Sequence, residues 1–133
     1  MRTVLSFSYL EVYLHEGPVP ALETHWLGFA PSADFRSAVE QAVEIARQHR
    51  VRGWIADDRR LGAVRHRDLE WTHDEVLLVL EELGLQRFAH LESEDVLNRR
   101  TIAGMYERVL PAISYEIRRF DDLTAARAWA AGE

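Results

Sequence analysis

The chain has 133 residues, a formal net charge of −6, 47% hydrophobic residues and no cysteine. This length and composition predict one globular domain over residues 1–133 and argue against a disordered chain. The acidic balance argues against nucleic-acid binding through bulk electrostatics, and the absence of cysteine excludes disulfides, thiolate catalysis and cysteine-bound metals.

The N-terminal segment MRTVLSFSYLEVYLHEG has neither the continuous apolar core nor the small-residue cleavage site of a signal peptide. No stretch of the sequence approaches the roughly 20 apolar residues of a membrane span. We therefore expect a cytoplasmic protein without a transmembrane segment. All sixteen basic residues are arginine, which excludes lysine chemistry such as Schiff-base formation.

The predicted elements begin with strands. Val4 to His15 alternates in hydrophobicity, but the apolar phase shifts between Tyr9 and Leu10, which we interpret as one strand with a β-bulge. After a turn at EGPVP, the segment ALETHWLGF predicts a second strand that is antiparallel to the first. A helix then begins near Ser32, whose hydroxyl can cap it.

Strands and helices alternate from there to the end of the chain. Residues 51–57 form a short apolar run without clean alternation, which is typical of a strand covered on both faces. The order β-β-α-β-α-β-α-β-α predicts an α/β fold with a single mixed, mostly parallel sheet of about five strands. The remaining predicted elements are a helix over 68–83, a strand over 85–93, a helix within 94–110, a strand over 112–120 and a helix over 121–132.

Three passages carry a family resemblance: HWLGFAPSADFRSAVEQAVEIARQHRVRGWIADDRRLG, HRDLEW and IRRFDDLTAARAWA. Together they resemble the small stand-alone bacterial STAS-like proteins, which are related to anti-sigma-factor antagonists and are often grouped with the CRAL-TRIO lipid-binding domains. The resemblance implies a STAS-like sheet with helices mainly on one side, no catalysis, and a role in binding a partner protein or a small ligand.

One position departs from that family's pattern. The sigma-factor regulators carry a phosphorylatable Ser or Thr in the loop after the strand that corresponds to residues 51–57. Here the loop reads DDRRLGAVRHRD and contains no hydroxyl residue, and Thr72 is the nearest. Because a phosphate needs a hydroxyl for attachment, we do not expect a kinase-controlled partner switch.

The loop over 57–67 is the predicted binding site, because a strand that ends abruptly in charge delivers the chain to the carboxyl edge of the sheet. We assign Asp57 the role of orienting the loop, and the arginines that of engaging an acidic surface or an anionic headgroup. An aromatic residue one turn into the following helix supplies apolar area. The predicted site residues are Asp57, Arg59, Arg60, Arg65, Arg67 and Trp71.

Each of these charges also has a structural interpretation. Asp57 and Asp58 resemble a carboxylate pair for acid/base or metal chemistry, but adjacent residues at a strand end point to opposite faces of a sheet. One of them then closes a turn while the other pairs with Arg59 or Arg60. The arginines form either a cradle for phosphate or carboxylate, or a solvated loop whose ion pairs contribute about 0 to 1 kcal/mol each.

The six histidines do not form a recognised metal motif. No pair has His-x-His or His-x-x-x-His spacing, although His66, His73 and Asp57 are candidates to meet in space. No serine stands at a strand-to-helix elbow, and GWIADDRRLG lacks the glycine pattern of a phosphate loop. We therefore expect no metal and no cofactor.

The tryptophans suggest a second surface. We expect Trp54 and Trp129 in the core, whereas Trp71 either packs inward or walls the crevice beside the arginines. Trp26 is predicted on a sheet face that the helices leave partly uncovered, and such a face needs a partner, either a second subunit or an acyl chain. Phe7 and Tyr9 extend this predicted apolar patch and indicate a homodimer.

These observations favour a non-enzymatic, cytoplasmic interaction or regulatory module that binds a protein or an anionic partner at the 57–67 loop. The first alternative is a small-molecule or lipid-binding protein that uses the sheet face around Trp26. The second is an enzyme that uses Asp57, Asp58 and His66. No nucleic-acid partner is expected.

Overall fold

The computed structural model describes residues 1–133, which form a six-stranded sheet and five α-helices. The elements are β1 (Arg2–Ser6), β2 (Leu10–His15), β3 (Ala21–Trp26), α1 (Ser32–Gln48), β4 (Gly53–Asp57), α2 (His66–Thr72), α3 (Leu78–Glu82), β5 (Arg87–Leu91), α4 (Val96–Val109), β6 (Glu116–Arg119) and α5 (Leu123–Ala130). A π-helical turn, His73–Leu77, joins α2 to α3, and a 3₁₀ turn, Leu110–Ala112, follows α4.

The strands lie in the sheet in the order in which they occur in the chain. The pairs β1–β2 and β2–β3 are antiparallel, and β3 to β6 run parallel to one another. This is the mixed, mostly parallel sheet that the element order predicts. Right-handed crossovers between successive parallel neighbours all fall on the same face. Helices α1, α2, α3 and α4 accordingly share one hydrophobic core with that face.

The sheet has one strand more than expected, because Val4 to His15 is not one bulged strand. The chain reverses at residues 7–9, where the amide of Phe7 donates to the carbonyl of Leu10 at 2.8 Å. Leu5 then pairs with Val12 across a hairpin. The phase shift at Tyr9 and Leu10 marks this reversal, since two strands that pair back to back each present their own apolar row.

The start of α1 also differs from the prediction. Pro31, not Ser32, precedes the first turn, and no side chain caps it. The hydroxyl of Ser32 instead donates to the carboxylate of Asp68 on α2 at 2.7 Å. Ser32 therefore links α1 to α2 through a hydrogen bond and does not cap α1.

Trp26 does not lie on an uncovered face. It is 4% exposed and stacks on Phe35 of α1, with ring centroids 5.2 Å apart. Phe7 and Tyr9 stack on each other and pack against the same core as partly buried residues. The predicted apolar patch of Trp26, Phe7 and Tyr9, which indicated a homodimer, therefore lacks Trp26.

Helix α5 alone covers part of the opposite face. Its residues Ala126, Trp129 and Ala130 pack on β4 and β5 in a second, smaller core. The helix passes so close to β4 that a Cβ on Gly53 would collide with the carbonyl oxygen of Ala130. At the same end, the Arg87 guanidinium donates to the Trp129 carbonyl at 2.7 Å. No helix of the protein is long and apolar enough to cross a membrane.

A buried ion pair joins α5 to β3. Glu23 is fully buried, and the Arg127 guanidinium donates to both of its carboxylate oxygens, at 2.7 and 2.9 Å. His15 of β2 lies 2.8 Å from the same carboxylate. Burial by itself raises the pKa of Glu23, but the hydrogen bonds from His15 and Arg127 outweigh it and hold the pKa below its usual value.

We expect Glu23→Gln to lower the free energy of unfolding at pH 7 by about 1 to 3 kcal/mol, because it removes one charge of a buried pair. A lowered native pKa stabilises the fold above the unfolded value of about 4.3, and this stabilisation is lost as the pH falls below it. Denaturant unfolding between about pH 5 and pH 3 should therefore show a shallower fall in stability for the variant than for the parent.

The matched control is Glu44→Gln, which breaks the exposed pair between Glu44 and Arg47 on α1. This change should alter stability by no more than about 0.5 kcal/mol. Equal effects of the two variants would show that Glu23 contributes no more than a surface charge.

Candidate functional site

The predicted loop begins where β4 ends, at Asp57. This carboxylate is buried, and the Arg59 side chain binds it through two hydrogen bonds of 2.9 and 2.8 Å. The Arg59 amide adds a third at 3.3 Å. Burial raises the pKa of Asp57, but the hydrogen bonds from Arg59 outweigh it and leave the pKa below its usual value. Asp57 orients the loop by binding Arg59, so the Arg59 guanidinium is already engaged in an ion pair within the protein.

Asp58 faces the other side of the sheet, as strand alternation predicts. Its carboxylate lies 2.8 Å from Nε2 of His90 on β5, and both residues are buried. Its backbone carbonyl accepts from the Leu61 amide at 3.1 Å and so closes the turn. The two neighbouring carboxylates share no ligand.

Asn98 of α4 holds the middle of the loop, a role that sequence reasoning missed. Its amide nitrogen donates to the carbonyls of Leu61 and Gly62, each at 3.1 Å, and its oxygen accepts from the Val64 amide at 3.4 Å. Polar residues are common in the first turn of a helix that begins with an Asp cap. No local sequence pattern therefore shows that this one binds the backbone of a distant loop. The contact follows only from the position of α4 beside the loop.

Backbone packing fixes the same loop from a second side. A Cβ on Gly62 would come within 2.7 Å of the Cα of Phe29, which lies between β3 and α1. The Gly62 amide donates to the Gly28 carbonyl at 3.3 Å. The loop thus has one well-defined conformation against both of its neighbours.

The four arginines of the loop do not form one cradle. Arg59 and Arg60 line a cleft beside His25, on the α5 side of the loop. Arg65 lies by Phe29 and Asp68, on the α1 side, and Arg67 follows it in α2. Arg60, Arg65 and Arg67 are exposed and make no ion pair within the protein.

Trp71 packs inward and does not wall the crevice beside Arg59 and Arg60. Its ring meets Phe35 edge-on at 6.3 Å, and the Arg36 guanidinium lies 5.4 Å from its centroid. Arg36 also donates to Asp68 at 2.8 Å. Trp71 therefore belongs to the contact between α1 and α2.

Exposed apolar side chains flank the loop instead. Of the five large hydrophobic residues that are exposed, Phe29, Val96 and Leu97 lie in segments that contact or adjoin the loop. Leu97 is 75% exposed and directly precedes Asn98. We define the edge patch as Phe29, Arg65, Arg67, Val96 and Leu97.

An apolar cavity of about 60 Å³ lies between the sheet and the helices. Of its 17 lining residues, 14 are hydrophobic, among them Trp54 and Ile102. Asp58 and Tyr106 supply polar groups to the wall, and the Tyr106 ring lies 4.6 Å from that of His90. Burial raises the pKa of Tyr106 well above its usual value, so its phenol stays protonated.

The histidines and carboxylates do not assemble a metal site, since no group of three or more such side chains is placed to hold an ion. His66 pairs with Glu70 at 3.0 Å, and His73 lies 2.9 Å from Asp74. Both histidines lie on α2 or the π turn, away from Asp57. The grouping of Asp57, Asp58 and His66 is not present as a cluster.

The polar cluster that sequence reasoning missed lies on the α5 face. His25 of β3 has Nδ1 3.0 Å from Asp57 and 4.0 Å from Glu23. Neither contact is directed as a hydrogen bond, and this buried nitrogen has no other partner. A sequence signal existed, because His and Glu alternate with apolar residues in ALETHW and so share one face of the strand.

The loop contacts predict different effects for three alanine substitutions. Asp57→Ala and Arg59→Ala should each lower the free energy of unfolding by about 1 kcal/mol or more, because each leaves a charged partner without its hydrogen bonds. Arg60→Ala should change it by no more than about 0.5 kcal/mol, as is typical of exposed residues. Denaturant midpoints measure all three, and an Arg60 variant as unstable as the Arg59 variant would contradict the division.

Comparison with known proteins gives one structural match. No protein-family model matches the chain, and a search of curated proteins gave no significant match. A crystal structure of an uncharacterised protein of the DUF3478 family from Shewanella loihica PV-4 superposes with a TM-score of 0.59 at 15% identity, covering 95% of this chain and 98% of the other. That protein has a SpoIIAA-like fold. The chain therefore has the SpoIIAA-like, or STAS-like, α/β fold that its sequence predicts.

Proposed function

We propose that the protein is a non-enzymatic, cytoplasmic interaction module that binds an acidic segment of a partner protein at the edge patch. The observation that carries this proposal is the combination of exposed apolar residues with unpaired arginines around a loop that is fixed internally. Isolated exposed hydrophobic residues are ordinary, but residues gathered at one edge of a sheet mark an interaction surface.

The fixed loop favours binding. Asn98 and the close approach of Gly62 to Phe29 hold the loop in one conformation before any partner arrives. A partner therefore does not have to order this segment, which reduces the entropic cost of association.

Charge determines the kind of partner. The whole chain carries −6, yet Arg65 and Arg67 stand at this edge without intramolecular partners. Guanidinium groups bind carboxylates through paired hydrogen bonds and increase the rate of encounter with an acidic surface. An apolar segment with flanking Asp or Glu residues matches this arrangement.

A second copy of the chain is the competing occupant. The edge strands do not favour a dimer through sheet extension, because the β1–β2 register is irregular between Thr3 and Leu5 and β6 is only four residues long. Self-association through the edge patch would bring the like charges of two copies together.

We expect a photo-cross-linking residue at position 97 to capture a partner protein in extracts of the source cells. The matched control is the same residue at Leu110, which is also an exposed leucine but lies at the opposite end of α4. The adduct should map to an acidic segment of the partner, and replacing both Arg65 and Arg67 with Ser should reduce its yield by about tenfold.

Two outcomes would contradict the proposal. Equal adducts at positions 97 and 110 would indicate non-specific capture, and an adduct with a second copy of the chain would indicate a homodimer. Leu97→Ser should leave stability within about 0.5 kcal/mol of the parent, so that a loss of adduct reports binding and not unfolding.

The cavity supports a second candidate, the binding of a small apolar molecule. Its volume of about 60 Å³ is well below the roughly 150 Å³ that accommodates benzene in an engineered protein cavity. The cavity as it stands therefore suits a molecule of a few heavy atoms and not an acyl chain.

We expect xenon to shift the NMR signals of the Ile102 and Met105 methyl groups, since both residues line the cavity. The Leu110 methyl groups, which are exposed and distant, serve as the control. Shifts of equal size at all three positions would argue against an accessible cavity.

A further inference from the structure

The cleft on the α5 side of the loop is separate from the edge patch. It has a volume of about 320 Å³ and lies between the end of β3 and the first residues of the loop. This is at the lower end of the range for small-molecule sites. Its lining residues are His25, Trp26, Asp57, Arg59, Arg60 and Glu94.

A buried carboxylate organises two of the groups that face this cleft. Asp57 is 2% exposed and holds the Arg59 guanidinium through both of its oxygens. The same carboxylate lies 3.0 Å from Nδ1 of His25, whose ring also lines the cleft. A cationic group that is fixed before binding loses little conformational freedom when an anion arrives.

Arg60 completes the arrangement. Its neighbour Arg59 is committed to Asp57, whereas the Arg60 guanidinium makes no hydrogen bond or ion pair within the protein. One anchored guanidinium and one free guanidinium therefore line the same cleft, with an imidazole beside them. Such groups recognise tetrahedral dianions through charge-assisted hydrogen bonds.

We propose that this cleft binds the phosphoryl or sulfuryl group of a small soluble molecule, with Arg60 and Arg59 as its cationic partners and the His25 ring beside them. The site is independent of the edge patch and needs no partner protein.

Two carboxylates also line the cleft. Asp57 is paired with Arg59 through both of its oxygens, whereas Glu94 makes no ion pair within the protein. Glu94 therefore opposes the binding of an anion, and Arg60 is the guanidinium that remains free to bind one.

The probe is inorganic sulfate, which is a dianion at neutral pH. Backbone amide shifts of residues 59–61 are followed by NMR as sulfate is added. Arg60→Ser should weaken binding by about tenfold, because it removes a charge-assisted contact worth about 1.5 kcal/mol. The control Arg65→Ser, on the other side of the loop, should leave the affinity unchanged.

One further variant tests the sign of the charge argument. Glu94→Gln should tighten sulfate binding, since it removes a like charge from the cleft wall.

The proposal fails if sulfate binds the Arg60 and Arg65 variants equally, or if Glu94→Gln weakens binding. A free molecule such as glycerol 3-phosphate should displace sulfate. Displacement only by vesicles that contain phosphatidic acid would overturn the assignment to a soluble ligand. The edge patch is untouched by any of these results, because its test uses positions 97 and 110.

Discussion

The order of the strands is the constraint on which the rest of the structure depends. Because β3 to β6 are parallel and adjacent in chain order, each crossover must return to the same face of the sheet. The helices of the three crossovers thus form one layer on one side, and only the final helix lies on the other, so the two faces are covered asymmetrically. The parallel strands bring the loops after β3, β4 and β5 to one edge of the sheet, where the fixed loop and the edge patch lie.

The same asymmetry explains the polar character of the α5 face. Helix α5 packs mainly on β4 and β5, and β3 contributes only Ala21 to its core. Glu23 and Asp57 are buried at this boundary, with partners from three different elements. Because Asp57 belongs both to this polar face and to the loop, the cleft and the loop share one anchoring group.

The sequence predicted the fold well because its strands and helices have clear patterns. The unalternating run at 51–57 identified a fully buried strand, and the helical spacing identified α1. Local patterns do not contain the pairing of distant residues. The hairpin at residues 7–9 was missed because a phase shift in the alternation is also the sign of a β-bulge, and Trp26 was placed on the wrong face because the covered face depends on strand order. Arg127 lies 104 residues from Glu23, and Asn98 lies 36 from Gly62, so neither contact leaves a local trace.

Helix α5 has only eight residues, and a helix of this length is not stable by itself in water. Its folded state therefore depends on the contacts that hold it: the close approach to Gly53, the hydrogen bond from Arg87 and the ion pair with Glu23. These contacts form or break together, so α5 should open as one cooperative unit ahead of global unfolding. Each such opening would hydrate the Glu23 carboxylate and uncover the apolar surfaces of β4 and β5, so that a brief detachment of the last helix transiently creates the most aggregation-prone surface of the protein.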